Sequence, residues 1–122
     1  MKPGPTSNRT HLAYAVEHLQ GALRYAQRGR AVFFDEAVPD TSLLVEGELR
    51  KAYESLNRLG QSFWNANPGL PRDRVGEIRE RLTHEYAEVN RDYLWGIVTD
   101  EVPALLRRLA RAKVPANESR QE

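Results

Sequence analysis

Apolar residues recur every three or four positions along most of this chain, and proline or glycine interrupts each run. That period belongs to the α-helix, since a half-buried strand would alternate every second residue. The first stripe is Leu12, Ala15, Val16, Leu19, Ala22, Leu23 and Ala26. Ser7, Asn8 and Thr10 are candidate N-caps for it, and Gly29 is the expected stop because glycine tolerates positive φ at a helix end. The second stripe, Val45, Leu49, Ala52, Tyr53, Leu56, Leu59 and Phe63, reads as one helix entered through caps at 40–42. Gly47 and Gly60 weaken that helix by about 1 kcal/mol each relative to alanine, so packing must hold it. Asn65-Ala66-Asn67-Pro68-Gly69 is a break. The third helix starts near Pro71 and buries Val75, Ile78, Leu82 and Tyr86. Asn90 caps a fourth, with Leu94, Ile97, Val98, Val102, Leu105 and Leu109 facing inward. Pro103 falls inside that pattern and should kink it, because it removes one backbone donor.

Four amphipathic helices without a pair of strands predict an all-α, up-and-down four-helix bundle. Residues 30–40, with Ala31-Val32-Phe33-Phe34, supply a short extra helical turn or a packed loop. The chain length suits one domain. It is placed at residues 10–112, after a Pro/Gly-rich lead at 1–9 and before a polar tail at 113–122. Trp64, Phe34, Tyr93 and Trp95 fall off the main stripes. They serve either a second interface, making a homodimer the default expectation, or a core under the loops.

With 18 basic and 17 acidic side chains the net charge is +1, so bulk electrostatics announces no nucleic-acid partner. No cysteine is present, which excludes disulfides, thiolate zinc sites and cysteine nucleophiles. No apolar run is long enough to span a membrane, and Met1-Lys2-Pro3-Gly4-Pro5 is no signal-peptide start. The expectation is a cytoplasmic protein without membrane contact. His11 and His18 lie two turns apart on the first helix, roughly 10 Å, too far to share a metal ion. His18, beside Glu17, is expected at the surface. Neither a metal nor another cofactor is expected.

The informative stretch is Ile78-Arg79-Glu80-Arg81-Leu82-Thr83-His84-Glu85-Tyr86. It places a fixed cation, an imidazole and a phenol on the third helix, a set suited to phosphodiester chemistry. Neutral imidazole can take the proton of a ribose 2′-hydroxyl. A guanidinium can hold a phosphate through two hydrogen bonds and stabilise charge in the transition state. Arg79 and His84 are five residues apart, about 140° of rotation and 7.5 Å of rise on a straight helix. A joint site therefore needs the helix to end near His84, or a second copy to supply the complementary residue. From Arg72 to Arg91 arginines and acids balance, so the segment shows no basic surplus.

Arg79-x4-His84-x-Tyr86 resembles the Arg-x4-His-x-Tyr motif of the HepT-like toxins, in the HEPN ribonuclease superfamily. The likeness covers about residues 10–110. It includes Leu59-Gly60, Asn67-Pro68-Gly69-Leu70-Pro71, Leu94-Trp95-Gly96-Ile97-Val98 and Val102-Pro103-Ala104-Leu105. The resemblance implies a HEPN-like homodimer with a metal-independent endoribonuclease site at its cleft, Arg79 and His84 being catalytic. It implies a toxin paired with a minimal nucleotidyltransferase antitoxin that AMPylates Tyr86. Such a bulky anionic adduct blocks RNA by size and charge. Glu80 stands where the family usually has Asn or Asp; one turn before His84, it is a supporting residue that favours the imidazolium. Arg81 and Arg91 are candidate RNA contacts. The alternative is a catalytically impaired bundle that serves as partner and AMP acceptor of the nucleotidyltransferase.

Overall fold

A computed structural model describes residues 7–84 and 90–115. Six helices follow in order: α1 (Asn8–Ala26), α2 (Arg30–Phe33), α3 (Asp40–Asn57), α4 (Gln61–Ala66), α5 (Arg72–His84) and α6 (residues 91–109). Strands are absent among the described residues. The expected all-α bundle is the observed architecture, with α1, α3, α5 and α6 as its four principal members.

Local chemistry sets the ends. Ser7 Oγ accepts the Thr10 N–H at 3.2 Å, so α1 starts at Asn8, inside the stretch read as lead. Gly29, at φ +112°, turns the chain from α1 into α2. The Asn90 side chain accepts the Tyr93 N–H at 3.1 Å and starts α6 as expected. The second stripe is not one helix. It ends at Asn57 and restarts at Gln61, because Gly60 takes an extended conformation. The Gly60 N–H donates to buried Asn8 Oδ1 at 2.9 Å, which pins the break to the start of α1.

Cross-links reveal the topology. Asn8 reaches Gly60, Ser55 Oγ donates to the His11 carbonyl, and Arg28 donates to Thr41, so α1 and α3 run antiparallel. Arg79 pairs with Glu54, and Arg50 donates to the Leu82 carbonyl, so α5 is antiparallel to α3. Arg74 pairs with Glu101 and Arg81 stacks on Tyr93, so α6 returns along α5. One core runs through all four. Ala15, Leu19 and Ala22 meet Val45, Leu49 and Leu56, with Val75, Ile78, Leu82, Leu94, Val98 and Val102 completing it.

The aromatic residues that lay off the stripes pack on the core of the single chain, Trp64 fully and Phe34, Tyr93 and Trp95 in part. Trp64 is buried and its indole N–H donates to the Leu59 carbonyl. Phe34 and Trp95 close over Phe33, with Trp95 4.9 Å from the Phe33 ring centre. They therefore supply no argument for a second interface. His18 is not a surface residue: its Nδ1 meets Glu48 Oε1 at 2.5 Å, and its ring lies 4.3 Å from Tyr14. Asn67 exchanges two hydrogen bonds with the Lys113 backbone, and Val114 packs on the core, so ordered contacts extend past 112. The rest of the proposed tail, from 116, lies outside the described residues.

The expected kink takes the form of a π-helical turn. α6 runs as α-helix over Arg91–Gly96, as π-helix over Ile97–Glu101 and again as α-helix over Val102–Leu109. The wider turn accommodates Pro103, which has no N–H to offer and crowds the preceding turn. It delivers Glu101 to Arg74, with Nε to Oε1 at 2.9 Å and Nη2 to Oε2 at 2.6 Å. Glu101→Gln should cost about 1 kcal/mol, the scale of a well-formed, partly exposed ion pair. Thermal unfolding of the two proteins checks this, with an expected drop in Tm of about 4 °C.

Candidate active site

α5 presents its polar side chains on two flanks, because its core residues Val75, Ile78 and Leu82 occupy one face. Arg79 lies on the flank toward α3. Its Nε donates to Glu54 Oε1 at 3.0 Å, and its side chain is half-buried. Glu54 also pairs with Arg58, at 3.5 Å, one turn further along α3. Arg79 therefore stands beside a carboxylate already shared with a second cation, which fixes the direction of the guanidinium.

His84 ends α5 on the other side. It is exposed, and its Nε2 lies 3.1 Å from Glu80 Oε2, the one-turn contact expected from the spacing. Within one chain the structure does not bring Arg79 and His84 together. Arg79 faces α3, while His84 pairs with Glu80 on its own helix, as the helical rotation allows. Arg81 caps the Tyr93 ring at 4.0 Å and Arg91 opens α6, so both belong to the α5–α6 side rather than to Arg79. Tyr86 lies outside the described residues.

Two clefts meet at Glu54. One, of about 340 Å³, is lined by Arg50, Lys51, Tyr53, Glu54, Arg79 and Leu82. The other, of about 370 Å³, lies between α1 and α3 and is lined by His11, Tyr14, Lys51, Glu54, Ser55 and Arg58. Tyr53 is buried beneath the first, and burial pushes its phenol well above the ordinary range. His11 is the residue that sequence reasoning left without a role. Its cationic neighbours come from α3, forty or more positions away, so no local pattern announced them. Burial first, and the charge of Arg58 second, hold its imidazole below the ordinary value. Among the described residues no group of three or more His, Asp or Glu side chains is placed to hold a metal ion. No helix among them is long and apolar enough to cross a membrane.

Comparison with known proteins places this arrangement. The family model described as "Ribonuclease HepT-like" matches residues 16–112. A Methanocaldococcus jannaschii protein named "Putative RNase MJ0127" is 32% identical over 72 residues. That match covers 57% of this chain and 60% of the relative, so the chain spans less than two-thirds of its length. No solved structure matches the chain.

The electrostatics around His11 is testable alone. A folded-state value below the unfolded one means that the unfolded chain binds more protons in the interval between them. This histidine's contribution to stability should therefore fall as pH drops below about 6.5, and level off once the depressed value is passed. In an NMR titration Arg58→Ala should move the His11 midpoint upward, yet leave it below the ordinary value because burial, the larger cause, remains.

Proposed function

This chain belongs to the HepT-like ribonuclease family, and on that premise we propose that it is a metal-independent endoribonuclease, the toxin of a toxin–antitoxin pair. The observation that carries the reading is the pairing of motif and geometry. Arg79 is held by Glu54 in a cation-lined cleft, and His84 is exposed at the end of the same helix. His84 takes the proton of a ribose 2′-hydroxyl. The resulting oxygen attacks the adjacent phosphorus, a 2′,3′-cyclic phosphate forms, and the bond to the 5′-oxygen breaks. The leaving oxygen receives a proton from an imidazolium or from water. Arg79 stabilises the charge that accumulates on the phosphoryl oxygens.

Because the two groups face different sides of α5, the working site pairs Arg79 of one copy with His84 of a second. A two-fold homodimer builds two such sites. Arg81 and Arg91 would hold RNA arriving from the α6 side. AMPylation of Tyr86 by a nucleotidyltransferase antitoxin, two residues from His84, would fill that cleft with an anion and silence it. The contact of Glu80 with His84 Nε2 favours a second reading, in which the imidazole is occupied and the protein is chiefly an AMP acceptor.

Purified protein should cleave RNA in EDTA, and Arg79→Ala and His84→Ala should each reduce turnover by at least about a hundredfold. An equimolar mixture of these two variants should recover about a quarter of wild-type activity. Random pairing makes half the dimers mixed, and each mixed dimer holds one intact composite site. No recovery would place the site within one copy. Glu80→Asn should raise turnover about twofold, the value of releasing a one-turn side-chain pair. A wild type that never cuts RNA, yet is labelled with AMP at Tyr86, would leave the second reading.

A further inference from the structure

The two clefts are parts of one groove, since both are lined by Lys51 and Glu54. It runs across α3 from Arg79 on α5 to His11 and Tyr14 on α1. Neither the motif nor the chemistry proposed above uses its α1 end. Each half lies within the roughly 300–1,000 Å³ typical of small-ligand clefts. Four cations, Arg50, Lys51, Arg58 and Arg79, border it against the single carboxylate of Glu54, and of these Arg50 is tied to Glu46. This is a local surplus in a chain that is otherwise balanced. Lys51 is exposed and has no carboxylate partner among the described residues. On α3, Lys51 and Arg58 lie two turns apart, about 10 Å along the axis.

Tyr14 adds a flat aromatic surface. It is 44% exposed, unusual for a large ring in this chain. It does not hang free: its ring lies 4.3 Å from that of His18, which Glu48 fixes from below. An exposed, braced ring beside a track of cations is the combination that binds single-stranded nucleic acid. Bases stack on the ring and phosphates meet the cations. The exposed aliphatic side chains that would favour a protein partner, Val32, Val38, Leu43 and Leu44, belong to α2, the loop after it and the opening turns of α3, away from Tyr14 and Arg58.

We infer that this groove is a subsite for single-stranded RNA flanking the scissile linkage, with Tyr14 stacking one unpaired base and Lys51 and Arg58 holding phosphates on the way to Arg79. The inference rests on the ribonuclease reading for its substrate, and it adds a requirement that the motif does not contain. The substrate must offer an unpaired nucleotide beyond the cleaved bond, so structured RNA is cut in loops or tails.

Binding and cleavage are measured separately. A short fluorescent 2′-O-methyl oligouridylate lacks the attacking hydroxyl and reports binding to the intact protein by anisotropy. Tyr14→Ala and Lys51→Glu should each weaken it about tenfold, whereas Tyr14→Phe should bind as wild type does. Lys51→Ala should reduce the salt dependence of log K by about 0.7, one phosphate contact on a single strand. In cleavage assays the Tyr14→Ala variant should raise KM for long RNA and leave cleavage of a dinucleotide unchanged, whereas Lys51→Glu, beside Arg79, should raise KM for both. Circular dichroism confirms that each variant is folded.

Unchanged affinity and KM in folded variants would overturn the subsite and leave the ribonuclease reading intact. So would a loss of affinity that only accompanies a change of oligomeric mass, which would make the groove a protein interface. Groove-dependent binding by a wild type that never cuts RNA would sustain the subsite and sink the ribonuclease reading. A wild type that does not bind the oligouridylate overturns the subsite.

Discussion

The close approach of α1 to α3 is the constraint on which the rest of the molecule depends. α1 turns a column of small residues toward its neighbour, Ala15, Gly21, Ala22 and Ala26, all buried. A Cβ added at Gly21 would stand 2.9 Å from a carboxylate oxygen of Glu48, so the two helices meet almost backbone to side chain there. That proximity lets His18 reach Glu48, Ser55 reach the His11 carbonyl and Asn8 reach Gly60. It also turns the outer edge of α3, with Lys51, Glu54 and Arg58, into the floor of a groove rather than an isolated helix face. α5 then rests on the other flank of α3, and Arg79 finds Glu54 only because of that docking.

Charge placement follows the same logic. The chain as a whole carries almost no net charge, yet its ion pairs are distributed unevenly. Arg74 is consumed by Glu101 and Glu77, where it joins α5 to α6. Arg50 is tied to Glu46 and to the Leu82 carbonyl, where it joins α3 to α5. Around Glu54, by contrast, two arginines share one carboxylate. Arg74 and Arg50 are neutralised where they join helices, whereas the groove keeps a local surplus of cations.

Most of the architecture was legible because core positions repeat with the helical period. Leu94, Ile97, Val98, Val102, Leu105 and Leu109 were all assigned inward and all are buried. The interruption at Gly60 was not legible. Leu59 and Phe63 continue the apolar rhythm across it, and only the distant side chain of Asn8 makes the break favourable. The surplus aromatics misled for a related reason. A stripe describes one helix, whereas Phe34 and Trp95 come from separate segments and bury each other. At the site, the contact of Glu80 with His84 could be read from spacing alone, since both lie on one helix. The contact of Arg79 with Glu54 and the environment of His11 could not, because each joins residues far apart in sequence.

The π-helical turn at Ile97–Glu101 carries a consequence for how such chains diverge. A π turn amounts to one inserted residue in an α-helix. Removing a residue there would restore regular winding and leave the flanking segments close to their present faces, because five residues of π turn rotate through roughly the same angle as four of α-helix. Val98 and Val102 would keep a common face. A one-residue loss at this point is therefore absorbed within the turn, and the contact it puts at risk is the local one of Glu101 with Arg74.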